Sequence, residues 1–150
     1  MASWVTPVFD RTRGDVEFAI AQINSWKTNG FTTTSELKGC LNRSDVNRIE
    51  NNIQFLSDQL ASLYYFSEVY TKNWAVVKLP TVTEIERILG NVRELIGSFF
   101  QDKNAPPVPE TMLTYEQVNH IEENLYRIKN ILDDMMSSFR ECGTFNCGEE

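Results

Sequence analysis

A chain of 150 residues, 41% of them hydrophobic and 23% charged, is long enough for one domain with a substantial core and too apolar to stay disordered. A formal net charge of −7, with no basic block anywhere, disfavours nucleic acid as a partner. No stretch approaches the roughly 18 apolar residues of a membrane span, and the N-terminus lacks the basic and apolar regions of a signal peptide, so neither membrane insertion nor secretion is expected.

Residues 1–12 read as an extended arm, with Trp4, Val5, Val8 and Phe9 as apolar anchors and Pro7 opposing an early helix start. Thr12 with Asp15 three residues on is a helix cap, and a first helix near 13–28 would turn Val16, Ala19, Ile20, Ile23 and Trp26 to the core before Asn29-Gly30 ends it. Gly39 reads as a flexible pivot and Ser44 as the cap of a second helix running to about Tyr65. Its apolar stripe is Val46, Ile49, Ile53, Leu56, Leu60 and Leu63. Tyr64, Tyr65 and Phe66 are consecutive and cannot all face one core. Residues 73–80 form a short extended crossing segment closed by Pro80.

A capping box at Thr81 and Glu84 opens a third helix, with a seam of Ile85, Ile88, Val92, Leu95 and Phe99. Gly90 and Gly97 share its opposite face, which suits either an exposed surface or the close approach of another subunit. The prolines of 106–109 impose a loop. Thr114 and Gln117 then cap a fourth helix, stapled by Leu113 to Val118, whose seam is Val118, Ile121, Leu125, Ile128, Leu132, Met135 and Phe139. The tail 140–150 follows, and no internal repeat stands out. The expected fold is mostly α: a single domain over 1–150, with an arm (1–12), a bundle of about four main helices (13–139) and a short C-terminal tail.

Catalysis is not expected. The single histidine, His120, falls on the solvent side of its helix with no second histidine near, Asp133-Asp134 lie off the seam, and no nucleophile with a base can be assembled. Cys40, Cys142 and Cys147 lack the spacing of a structural zinc site and read as thiols of a protein made in a reducing cytoplasm. No metal, cofactor or catalytic residue is assigned. The remaining signal is aromatic: Trp4, Tyr64, Tyr65, Tyr70 and Trp74 gather in connectors and element ends, where rings with polar handles serve as minor-core packing, interface anchors or sugar-binding platforms.

Several segments together resemble a module of Firmicutes phages and prophages: Trp4 to Val16, Leu37-Lys38-Gly39 with Asn42 to Glu50, Thr71 to Trp74 before Leu79-Pro80-Thr81, Asn91 to Arg93, Leu113 to Glu122, and Gly143 with Cys147 to Glu149. The chain departs from that pattern at Cys40–Arg43 and near Cys142 and Cys147, where the module often carries aromatic or hydroxyl residues. The resemblance implies a virion structural protein of the tail, baseplate or fibre, made in the bacterial cytoplasm, with other virion proteins and further copies of itself as partners. A receptor- or glycan-binding module of the tail, and a small acidic inhibitor or regulator of a host protein, are the alternative functions. Within the resembling region, Asn42, Asp45, Asn47, Arg48 and Glu50 are expected to form a polar network that locks the turn to a neighbouring helix or to the N-terminal Asp10, Arg11 and Thr12. Trp4, Tyr64, Tyr65, Tyr70, Trp74, Gly90 and Gly97 are the candidate interface.

Overall fold

Four helices carry the chain: α1 (Arg13–Asn29), α2 (Arg43–Ser62), α3 (Val82–Ser98) and α4 (Tyr115–Cys142). They are seen in a computed structural model that describes residues 2–32, 35–75 and 80–142, with side chains described as far as Phe139. No strand occurs among the described residues, so the fold is mostly α. Helix α4 continues past the expected break at Phe139, whose ring is exposed because the core stops at Leu132. Residues 76–79 of the crossing segment and the tail beyond Cys142 lie outside the described residues.

The core comes from three of the four helices. In α2, α3 and α4 a hydrogen-bonding residue just before the helix (Asn42, Thr81, Thr114) is followed at fixed intervals by apolar residues. These are Val46, Ile49, Ile53, Leu56 and Leu60 in α2; Ile85, Ile88, Val92, Leu95 and Phe99 in and just after α3; and Val118, Ile121, Leu125, Ile128 and Leu132 in α4. All are buried except Ile85, which is half-buried against the others. Polar positions recur in the same register: Asp45, Glu84 and Gln117 in the first turn, and the buried Asn52, Asn91 and Asn124 further on. The chain therefore contains a threefold internal repeat, which its sequence had not disclosed. Most of the repeat's identity is in roles, acidic or amide here and apolar there, and few positions keep one residue type.

The three helices run in the same direction. Arg48 of α2 meets Glu122 of α4, and seven residues on Lys129 lies over the ring of Phe55; Arg87 of α3 meets Glu50 of α2, and beyond both helices Tyr65 packs edge-on against Phe99 at 5.0 Å. Parallel helices need long returning connections, and the N-terminal arm and both returns are each pinned by an asparagine side chain. Asn52 accepts from the Val5 amide (3.0 Å) and donates to the Val5 carbonyl (2.7 Å). Asn91 does the same to Tyr70 (3.1 and 2.8 Å), and Asn124 donates to the carbonyl of Pro106 (2.9 Å), a residue with no N–H to offer. An asparagine side chain presents one acceptor and one donor like a peptide, so the clamps take the place of a β-ladder.

The first repeat differs from the other two. Its extended segment ends near Arg11 and its helix starts at Arg43, with α1 inserted between them. Helix α1 buries only Ala19. Val16, Ile23 and Trp26 are half-buried and Ile20 is 53% exposed, so the stripe expected to enter the core does not, because the repeat leaves no fourth groove to receive it. What fixes α1 is its first turn. Thr12 and Asp15 form a complete capping box, and Gly39 lies so close that a Cβ there would sit 2.1 Å from the Asp15 carbonyl oxygen. Gly39 is therefore a close-approach glycine rather than a pivot. The glycine that needs its conformational freedom is Gly30, at φ 84°, where it ends α1 and donates to Trp26 O at 2.9 Å.

Other local expectations shift for identifiable reasons. The α2 cap is Asn42, whose amide donates to Asp45 Oδ2 (2.9 Å); Ser44 is already inside the helix and bonds Glu36 instead. Helix α2 ends at Ser62 in a Schellman arrangement, with Tyr65 N bonding Leu60 O and Tyr64 N bonding Ala61 O, and Tyr64 adopting φ 66°. That turn separates the three consecutive aromatics: Tyr65 enters the cluster with Phe99 and Phe100 while Tyr64 and Phe66 stay exposed. At α3, Thr81 caps Glu84 N, but the Glu84 carboxylate turns to Lys72 and Arg87, leaving half a capping box. At α4 the box is complete, yet Leu113 is 81% exposed and forms no staple; Met112 fills that place in the core.

Candidate interaction surface

The residues expected to form one polar network fall into several places. Arg11, Asp45 and Arg48 meet, together with Glu122, which sequence reasoning had left out. Arg11 Nη2 donates to Asp45 Oδ1 (2.7 Å) and Glu122 Oε1 (3.1 Å); Arg48 Nη2 donates to the same two oxygens (2.6 and 2.7 Å). Glu122 Oε2 accepts from Arg48 Nε (2.8 Å) and the Val8 amide (2.7 Å), so this 1% exposed carboxylate ties arm, α2 and α4 together. Two cations and two anions balance, which is the condition for burying such charge. Burial opposes ionisation of Asp45, but the Asn42 amide, the Arg48 hydrogen bond and the two guanidinium charges outweigh it and hold the carboxyl below the usual range. The Glu122 hydrogen bond raises the Arg48 pKa.

Asn42 touches this cluster through Asp45 and also donates to the carbonyls of Leu37 and Cys40, closing the loop before α2. Asp10 and Thr12 do not join it. Asp10 is exposed and pairs with Lys38, and Thr12 caps α1. Asn47 clamps the Trp74 backbone, accepting at 2.7 Å and donating at 3.2 Å. Glu50 anchors a second buried cluster: its carboxylate pairs with Arg87 and accepts from Trp74 Nε1 (3.0 Å) and the Lys72 amide (3.3 Å). By the repeat, Glu50 and Glu122 are equivalent, as are Arg48 and Arg87. The third pair of positions holds His120 and Leu89, and leucine there belongs to the apolar core. A periodic search for [Arg/His]-Ile-x-x-Asn would have found the set.

The polar atoms of these clusters are satisfied by one another. Every buried side-chain nitrogen and oxygen among the described residues has a partner, and no group of three metal-ligating side chains occurs among them. Cys40 is half-buried, and burial followed by the Asp45 charge pushes its thiol pKa up, the reverse of what a nucleophile needs. Cys142 and Cys147 lie beyond the described side chains.

The candidate interface residues also divide. Trp4 packs on Phe55 at 5.7 Å with Lys129 over its ring, Trp74 is held by Asn47 and Glu50, and Tyr65 belongs to the Phe99 cluster; these three are packing elements. Tyr64 and Tyr70 are exposed. Gly90 and Gly97 are exposed on α3, and a Cβ at either would meet nothing within 4 Å, so no close approach among the described residues needs them. Of the α1 stripe expected in the core, Ile20 is the residue left exposed; Phe18 (60%) is exposed on the other side of the helix, and Phe31 (67%) packs in a tilted contact with Trp26 at 4.9 Å. Other exposed apolar side chains are spread over the described residues, among them Tyr64, Phe66, Tyr70, Val82, Phe100 and Leu113. No family model matches the chain, and comparison with curated proteins and with solved structures finds no significant match. Among the described residues no helix is long and apolar enough to cross a membrane.

Proposed function

We propose that the chain is a structural component of a phage virion, associated with tail, baseplate or fibre, which works through protein–protein contacts and catalyses nothing. The observation that carries the assembly part is the inserted helix. A bundle whose polar groups are satisfied and whose core is complete presents α1 as an addition that buries one residue and exposes Phe18 and Ile20. An element that contributes so little to its own fold is supported by contacts elsewhere. The virion assignment draws on the resemblance of the arm, of residues 37–50 and of the α4 start to the Firmicutes phage module. Those same segments hold Arg11, Asp45, Arg48 and Glu122, so the resemblance coincides with residues that a bundle of this kind requires. Mass spectrometry of purified particles from the phage or induced prophage tests the reading: the chain is expected at a copy number comparable to other tail proteins, and its absence from particles would overturn it.

A further inference from the structure

We infer that the groove between α3 and the segment leading into α4 is a docking site for a partner protein, taking a segment that sets a lysine or arginine beside an aliphatic side chain. This deepens the assembly reading and rests on it for the partner's biological setting. The first observation is a gap in the repeat. In the other two grooves a second asparagine, five positions after the cap, holds one residue of the extended chain by both its polar groups: Asn47 at Trp74, and Asn119 at Arg11 (3.3 and 2.9 Å). In α3 that position is Glu86, which has no donor to give and makes no hydrogen bond or ion pair among the described residues. The next polar position changes too: α2 has Glu50 and α4 has Glu122, but α3 has the buried Leu89. Met112 stands six residues beyond the clamped Pro106, as Arg11 stands six beyond Val5. Its side chain is buried in the core, and no hydrogen bond among the described residues reaches its backbone.

The second observation is shape. Where the clamp is missing the surface opens into a cavity of about 100 Å³, lined by Val82, Ile85 and Glu86 of α3 and by Glu110, Met112 and Leu113. Met112 is buried, Ile85 half-buried, and Val82 and Leu113 are exposed, so its apolar lining reaches from the core to the surface. An apolar cavity of roughly 150 Å³ holds benzene. This smaller one admits an aliphatic side chain rather than an aromatic ring.

The third observation is charge. Glu86 and Glu110 line the same cavity, both are exposed, and neither has an ion pair among the described residues. The cations nearest to them in sequence are committed: Arg87 to Glu50 and Glu84, and Arg93 to the Pro109 carbonyl at 2.9 Å. In a chain of net charge −7 this rim attracts a cation, whose aliphatic stem can lie along Val82 or Leu113. The described exposed aliphatic side chains, Val5, Ile20, Val82 and Leu113, have no lysine or arginine within two positions, so those of a second copy do not fit the site.

Amide chemical-shift mapping of the isotopically labelled full chain tests the inference, with a capped Gly-Lys-Leu-Lys-Gly peptide as the probe. Saturable shifts at millimolar peptide are expected at Val82 to Glu86 and at Glu110 to Leu113. A peptide with glutamate in place of lysine, or glycine in place of leucine, should produce none. Glu86→Gln combined with Glu110→Gln should weaken binding about tenfold and leave the melting temperature unchanged, since neither carboxylate has an ion pair to lose. Absence of saturable shifts, shifts centred elsewhere, equal binding of the acidic peptide, or an undiminished double variant would each overturn the proposal. So would shifts at these amides that follow the concentration of the chain alone, which would give the groove to a second copy. The peptide comparison needs no variant, so a double variant that fails to fold leaves the test intact. A silent groove in a chain found in purified virions would defeat this inference and leave the structural function standing; a groove that binds the basic peptide in a chain absent from virions would do the reverse.

Discussion

The three-helix repeat and the inserted α1 are built from similar amounts of apolar sequence and come to opposite ends. In α2 the spacing that begins at Val46 delivers five residues at or below 2% exposure, while in α1 the spacing that begins at Val16 delivers one buried alanine. Periodicity specifies that a helix has a face. It does not specify that the fold holds a groove for it. What separates the two regions is polar: α2, α3 and α4 each carry a buried asparagine that holds an extended segment of the chain, and α1 carries none.

Substitutions can break this contrast. The largest effect is expected at Glu122, where alanine leaves Arg11 and Arg48 facing one carboxylate and orphans the Val8 amide. Removing one partner of a buried ion cluster costs about 3–5 kcal/mol, and urea unfolding should show it, whereas Glu17→Ala in the exposed pair with Arg13 should shift stability by at most ~0.5 kcal/mol. Next comes a matched isoleucine pair. Ile53→Ala empties a fully buried site and is expected to cost roughly 2–5 kcal/mol, while Ile20→Ala is expected to stay within about 0.5 kcal/mol. An equal cost at both positions would show that α1 is part of the core.

Smaller still is the loss of a clamp. Asn91→Ala leaves the Tyr70 amide and carbonyl without their side-chain partner, for about 1–3 kcal/mol, and Asn24→Ala on α1 serves as the neutral control. The weakest lever is acid. Asp45 has a folded pKa below its unfolded value, so its contribution is present above about pH 4, the ordinary carboxylate range, and is lost as pH falls through the lower folded value. Unfolding midpoints compared at neutral pH and in acid should fall more for the wild type than for Asp45→Asn.

Helix number, approximate bounds and three of the four stripes were legible in the sequence because capping residues and apolar spacing are local signals: Thr12 with Asp15, and Thr114 with Gln117, act as read. The repeat was not legible, since its register shows only when Asn42, Thr81 and Thr114 are aligned as caps, and Asn42 had been passed over for Ser44. Glu122 was missed although it sits on the cleanest helix, because nothing in one strand of sequence says that a carboxylate beside Ile121 meets an arm more than a hundred residues away. The open stripe of α1 was misassigned for the same reason. Burial is decided by what lies opposite.

Native-state hydrogen exchange of the full chain, dilute enough to be monomeric, tests the central contrast most directly. Amides of α1 beyond its capped first turn, from Glu17 to Asn29, are expected to open at a lower free energy than those of α2 from Ile49 to Leu60, which should open only with the whole bundle. Equal protection of the two segments would contradict the division between a self-sufficient threefold bundle and a helix held out from it.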